Sequence, residues 1–269
     1  MGAKGLSKDQ IQRYGRQLIL PEIGVSGQQR LLNASVLIVG AGGLGSPAAL
    51  YLAAAGVGRL GIIDPETVAL SNLHRQILHD TGAVGRPKAE SGARRLRALN
   101  PEITVEAVQA TLGADNAEAT LSGYDMILDG SDNFPTRYVV NDACVLLNKP
   151  FVHGGVIHTI GQAFTILPRR SACYRCVFPE SPAAGTIPSC QEAGVLGAVA
   201  GVIGSVMAQE AIKMLAGIGQ PLTDRLFVFD GAISRAREVP VRRQPDCAIC
   251  GDIPTIHRLI QDAPVACAN

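Results

Sequence analysis

The sequence predicts an α/β protein built on a doubly wound sheet, and three observations predict it. A glycine-rich turn, Gly40-Ala41-Gly42-Gly43-Leu44-Gly45, stands directly between a β-branched apolar run and a helix-forming stretch. Short apolar runs then alternate with helical stretches as far as residue 155, the grammar of parallel βαβ units. The second such run ends in an acid, Asp64, where sheets of this class place a ribose-binding carboxylate.

Taken in order, Ser35-Val36-Leu37-Ile38-Val39 is a continuous apolar run stopped by Gly40, as expected of a strand buried on both faces. Leu44 to Ala55 reads as a small-residue helix, and Arg59 to Asp64 as the second strand. A helix is expected to begin after Pro87, with proline at its first position. Strands follow around Ile103-Thr104-Val105 and Tyr124 to Asp129, then a helix from about Pro135 to Leu147 and a strand at Pro150-Phe151-Val152. Beyond these, Gly161 to Leu167 and Arg225 to Phe229 look like strands separated by a long helix from about Gln191 to Leu215. The expected organisation is one domain over 1–269. It comprises an N-terminal helical arm (1–33), a Rossmann-like nucleotide-binding half (34–155), a second half completing the same sheet (156–252) and a surface tail (253–269).

Composition limits the function classes. The chain has 269 residues and 47% hydrophobic content, ample for a buried core, and 24 Lys+Arg against 23 Asp+Glu leave a net charge of +1. No global field recruits nucleic acid or an anionic membrane, so any anion site is local. The N-terminus lacks the apolar core of a signal peptide, and a cytoplasmic location is expected. The weakly polar stretch Ala193 to Met207 is broken by four glycines and falls short of the ~20 strongly apolar residues that span a bilayer; it reads as a buried helix.

The glycine turn permits close approach of a phosphate, and the helix it opens adds N–H groups and a positive dipole end. The turn and Asp64 suit NAD and ATP equally. Arg75, in Ser71-Asn72-Leu73-His74-Arg75-Gln76, and Lys88 favour ATP: two fixed cations suit a triphosphate better than a nicotinamide ring. Either one alone reads as solvated surface. Asp132, in Gly130-Ser131-Asp132-Asn133, is a hard oxygen ligand where Mg²⁺ would bridge phosphates; its rival role is capping the next helix.

Seven cysteines include two close pairs, Cys173/Cys176 and Cys247/Cys250. Two pairs make the S₄ set that structural Zn²⁺ prefers, a role that would pin the C-terminal region to the body. A redox C-x-x-C is the alternative, less favoured because neither pair starts a helix after a strand. Cys190, just before the long expected helix, is a candidate nucleophile activated by the helix dipole, or else a small loop residue. Cys144 reads as core, Cys267 as tail, and His153 and His158 as structural.

With these residues assembled, the chain resembles the MoeB/ThiF branch of the ubiquitin-activating-enzyme superfamily over nearly its whole length. The resemblance rests on Arg13-Tyr14-Gly15-Arg16-Gln17, the Gly40–Gly45 turn, Ser71–Gln76 and Gly85-Arg86-Pro87-Lys88 in the first half. Ser131-Asp132-Asn133, Cys173-Tyr174-Arg175-Cys176, Cys190-Gln191-Glu192-Ala193-Gly194-Val195 and Cys247–Cys250 complete it. It implies a homodimer that uses ATP and Mg²⁺ to adenylate the C-terminal Gly-Gly carboxylate of a small β-grasp sulfur-carrier protein. Molybdopterin, thiamin, tRNA thiolation or related biosynthesis would be the setting. By this likeness Gly40, Gly42, Gly43, Leu44 and Gly45 cradle phosphate and Asp64 holds the ribose. Asn72, Arg75, Gln76 and Lys88 contact the nucleotide, Asp132 and Asn133 serve the metal and nucleotide, and Arg16 reaches the partner subunit's site. His74 stands where the family often has Gln. The chain stops soon after Cys250, without a rhodanese-like domain, so a separate sulfurtransferase is expected. An NAD-dependent dehydrogenase and a non-catalytic carrier-binding scaffold are the alternatives.

Overall fold

In the computed structural model, which describes residues 5–182 and 194–259, two helices precede the sheet. Helix α1 (Lys8–Leu18) starts at a capping box in which Ser7 and Gln10 satisfy each other's backbone N–H groups, and α2 (Gly24–Asn33) leads into the first strand.

The elements then alternate: β1 (Ser35–Val39), α3 (Gly45–Ala55), β2 (Arg59–Ile63), α4 (Lys88–Leu99), β3 (Thr104–Val108), α5 (Ala117–Ser122), β4 (Met126–Asp129), α6 (Phe134–Leu146) and β5 (Phe151–Ile157). These are followed by β6 (Ile160–Ile166), the single turn α7 (Tyr174–Val177), the long α8 (Gly197–Ala216), β7 (Arg225–Asp230) and β8 (Arg235–Pro240). All eight strands form one sheet in the order β3-β2-β1-β4-β5-β6-β7-β8. The first five are parallel, and the remaining three add antiparallel. The second half thus completes the sheet of the first, as expected.

Alternation along β1 divides the core. Val36 and Ile38 face one layer with Leu52 of α3, Leu96 of α4 and Met207 of α8. Leu37 and Val39 face the other with Leu121 of α5, Val140 of α6 and Tyr174 of α7. In register, Val39 stands opposite both Ile63 and Asp129. Gly40, Asp64 and Gly130 therefore emerge together at the carboxyl edge, where the strand order reverses, the place such sheets bind ligands.

Four expectations require correction. The long helix begins at Gly197 rather than near Gln191, because Gly194 has a left-handed φ of 76° and Val195 and Leu196 run extended. His158 donates its N–H to the Gly194 carbonyl and accepts that of Leu196. That helix also has the length of a bilayer span, 20 residues with a mean hydropathy of 1.3. It is nonetheless a core helix: it lies over β5 and β6, and buried Glu210 accepts hydrogen bonds from Thr165 and Leu222 and pairs with Lys213. Pro87 caps α4 from outside, and Lys88 is the first helical residue. Finally, part of the expected tail packs: Thr255 and Ile256 donate to the Ala248 carbonyl, and Ile256 and Leu259 lie against the second core layer.

Strand β8 is an element the sequence did not announce. It carries Arg235, Arg237 and Glu238 at the sheet edge, exposed or nearly so throughout, where no apolar face is required.

Candidate active site

The glycine turn depends on two residues without side chains. Gly40 has φ 89°, and at Gly45 a Cβ would stand 1.8 Å from the Gly40 carbonyl, so α3 starts pressed against the turn. Gly40, Gly42, Gly43 and Leu44 line a cleft at the carboxyl edge of β1, β2 and β4. Gly45 stands behind that wall, supporting the turn without lining the cleft.

Asp64 forms the next wall. Its two carboxylate oxygens accept the N–H groups of Ala41 and Glu66, each at 2.8 Å. Burial pushes its pKa up, against the opposing pull of those N–H groups and of Lys88. Each oxygen retains a further lone pair for a ribose hydroxyl.

Arg75 and Lys88 both line this cleft. The Arg75 guanidinium is braced by the Ser71 carbonyl at 3.4 Å and the His74 ring at 2.9 Å. Lys88 is almost wholly buried and ion-pairs with the exposed Glu66. Gln76, also buried, places its amide beside Gly42, and its Oε1 is a buried acceptor with no partner among the described residues. A buried acceptor facing a cleft is a place for a ligand's donor.

Asp132 is exposed on the opposite wall. The rival capping role belongs to its neighbour: Asn133 Oδ1 accepts the Thr136 N–H at 2.9 Å and starts α6. Asn133 also lines the cleft, with that oxygen already engaged. The loop is held from behind. Ser131 donates to Asp129 through its N–H and hydroxyl, and Asp129 pairs with the fully buried His153 at 2.8 Å, the structural role expected of that histidine.

Asn72 is not brought to the cleft; its Oδ1 accepts the Ala69 N–H and closes a 3₁₀ turn. Arg16 is exposed on α1 and does not line this chain's own cleft. Cys190 lies outside the described residues, and the helix expected to activate it starts only at Gly197.

Two charged residues of the cleft escaped sequence reasoning. Glu66 follows Asp64 by two positions, and Arg137 donates to the Ser131 carbonyl at 3.2 and 3.3 Å with its guanidinium 5.1 Å from the Phe134 ring. The only sequence signal for Arg137 was its place one turn beyond Asn133 on the expected helix.

Away from the cleft, the four paired cysteines meet. Cys173 Sγ is 3.8 Å from Cys176 Sγ and 3.6 Å from Cys247 Sγ, while Cys176 Sγ is 3.4 Å from Cys250 Sγ. All four sulfurs lie within 4.8 Å of one another, a group able to hold a metal ion.

The model of the ThiF family matches residues 14–249. The chain belongs to the ThiF family. This ThiF-family chain is 50% identical over 259 residues to the sulfur carrier protein adenylyltransferase of Thermus thermophilus, covering 94% of this chain and 96% of that protein. It is 47% identical over 247 residues to the SAMP-activating enzyme E1 of Haloferax volcanii, covering 92% and 91%. Against the adenylyltransferase and sulfurtransferase MOCS3 of Arabidopsis thaliana it is 49% identical over 249 residues. That match spans 92% of this chain but 54% of the plant protein. Among solved structures, the microcin C7 biosynthetic enzyme MccB in complex with N-formylated MccA superposes with a TM-score of 0.77 at 25% identity, over 89% of this chain and 75% of that one. E. coli MccB with ATP gives 0.71 at 25%, over 84% and 69%.

Proposed function

We propose that this ThiF-family chain is an ATP-dependent adenylyltransferase that activates the C-terminal Gly-Gly carboxylate of a ubiquitin-like sulfur-carrier protein. The convergence of Arg75 and Lys88 on a cleft already walled by the glycine turn and Asp64 carries the reading. Half-identity to the Thermus sulfur carrier protein adenylyltransferase over nearly the full length of both chains supports it.

The turn's N–H groups receive the phosphates and Asp64 the ribose. A carrier carboxylate oxygen attacks the α-phosphorus; the new O–P bond forms as the bond to the bridging oxygen breaks, and pyrophosphate leaves with that electron pair. The product is an acyl-adenylate. Arg75 and Lys88 stabilise the charge that develops on the phosphoryl oxygens and the departing pyrophosphate, an effect strengthened by burial. Asp132, exposed at the wall with an oxygen donor suited to a hard cation, would hold Mg²⁺, which neutralises phosphate charge when bound.

The cysteine group fits Zn²⁺. A tetrahedral site with Zn–S near 2.3 Å separates sulfurs by about 3.8 Å; three of the Sγ–Sγ separations run from 3.4 to 3.8 Å, and all four sulfurs lie within 4.8 Å of one another. Cys173, Cys176, Cys247 and Cys250 would hold it, tying the Cys247–Cys250 segment to α7. The chain acts as a homodimer in this reading, with exposed Arg16 entering the partner subunit's cleft. Molybdopterin, thiamin and tRNA thiolation are the candidate settings.

The test is ATP–pyrophosphate exchange with purified protein and Gly-Gly-terminated carriers. Carrier-dependent exchange that Arg75→Ala strongly lowers is expected; no exchange with any such carrier overturns the reading.

A further inference from the structure

Ala41 sits inside the glycine turn, fully buried, with its N–H and its carbonyl both held by side chains. The N–H donates to Asp64 Oδ2 at 2.8 Å, and the carbonyl lies 2.9 Å from His79 Nε2. A carbonyl only accepts, so Nε2 carries the proton. Burial holds the His79 pKa below its ordinary value, and the positive charge of Lys88 adds to that, so the ring is neutral and Nδ1 is an acceptor. The Ser91 hydroxyl, 3.1 Å away, donates to it. A directed chain results: Ser91 hydroxyl to Nδ1, then Nε2–H to the Ala41 carbonyl.

Ser91 lies on α4 one turn beyond Lys88, so this chain joins the phosphate turn to the helix that bears the lysine. The joint is tight. A Cβ on Gly92 would stand 2.7 Å from the Leu78 side chain, so the segment carrying His79 is seated directly on α4. Neither His79 nor Ala41 lines the cleft, whereas Asp64, Gly42 and Lys88 do.

We propose that His79 is a positioning residue, which fixes the glycine turn against α4 so that the turn's N–H groups and the Lys88 ammonium face one triphosphate at a set spacing. The proposal rests on the ATP reading of the cleft. It concerns phosphate placement and leaves ribose recognition by Asp64 intact.

The experiment compares ATP and adenosine binding by calorimetry in the full chain and in His79→Leu, His79→Gln and Ser91→Ala. In His79→Leu the buried Ala41 carbonyl loses its 2.9 Å hydrogen bond and keeps only the longer one from the Ser46 hydroxyl at 3.5 Å, and ATP affinity should fall about tenfold while adenosine affinity changes less than about twofold. Glutamine restores a donor at the Nε2 position, so His79→Gln should recover ATP affinity to within about threefold of the unaltered chain. Unchanged ATP affinity in His79→Leu, equal losses for ATP and adenosine, or a glutamine variant no better than leucine would each overturn the proposal. Should His79→Leu fail to fold, Ser91→Ala decides. A selective loss of ATP affinity of about threefold supports the proposal, and no selective loss overturns it. An unaltered chain that binds no ATP would instead remove the functional reading itself, which keeps the two failures apart.

Discussion

The Lys88 ammonium is ion-paired with the Glu66 carboxylate at the wall of the cleft, with the lysine side chain 3% exposed and the glutamate 56%. The pair is asymmetric: Glu66 is free to turn to solvent, while Lys88 has no other direction than the cleft and its partner. A triphosphate entering the cleft competes for the ammonium as a stronger anion. Lys88→Met keeps the buried stem and removes the charge. ATP affinity should fall roughly 10- to 100-fold, the worth of a charge-assisted hydrogen bond, while the melting temperature changes little. Calorimetry with ATP and a thermal melt check both, and an unchanged affinity removes Lys88 from the phosphate site.

Arg75 is held in place by the first residue of α8. A Cβ on Gly197 would meet the His74 carbonyl at 2.5 Å and the Arg75 Cβ at 3.2 Å, so the Ser71–Gln76 segment rests on the bare backbone there. Arg75→Ala should lower carrier-dependent pyrophosphate exchange by about 10²- to 10³-fold. Gly197→Ala should lower it for the same reason, through displacement of the guanidinium. In the double variant the second change should then cost little, since both act on one interaction. Fully additive losses in the exchange assay would show that Gly197 serves something other than Arg75.

What the sequence made legible is what neighbours in the chain determine. The glycine turn, its strand and its helix are contiguous, and Asp64 follows one strand later, so βαβ grammar located them without knowledge of the fold. The cysteine pairs announced themselves by chelating spacing, although only folding shows that all four sulfurs meet. His79 was opaque because its meaning lies in Ala41 and Ser91, one in the turn and one on the next helix. Strand β8 was opaque because an edge strand needs no apolar face, and its charged sequence resembles a loop. The start of α8 was misjudged because small apolar residues suit a helix by propensity, whereas the left-handed Gly194 and the bonds to His158 hold Val195 and Leu196 extended.

The cysteine group should bind metal stoichiometrically. Elemental analysis of protein purified without chelators should find about one zinc per chain. Cys250→Ser should lose it and lower the melting temperature on the order of 10 °C, because the metal link between the Cys247–Cys250 segment and the Cys173/Cys176 pair is then gone. Zinc-free protein with an unaltered melt would reduce the cluster to packed thiols.

Acid should destabilise the fold through two buried histidines. His153 is fully buried, and burial holds its pKa below the ordinary value despite the opposing pull of Asp129; Arg137 lowers it further. His79 is likewise lowered by burial, with Lys88 adding to the shift and the Ala41 carbonyl, Asp64 and Asp80 opposing it. For a group whose folded pKa lies below its unfolded value, the unfolded chain takes up the proton first as pH falls. Stability from these residues is therefore complete above the unfolded histidine pKa of about 6.5 and declines as pH drops toward the folded values. Asp129 acts in the same direction. Burial alone would raise its pKa, yet His153, Ser131 and Arg137 together hold it below the usual carboxylate value, so its contribution is lost at still lower pH. Urea unfolding at pH 7.5 and pH 5.5 should show the chain less stable at the lower value. His153→Gln should flatten that difference, since glutamine cannot titrate; an undiminished pH dependence in this variant would assign the acid sensitivity to other groups.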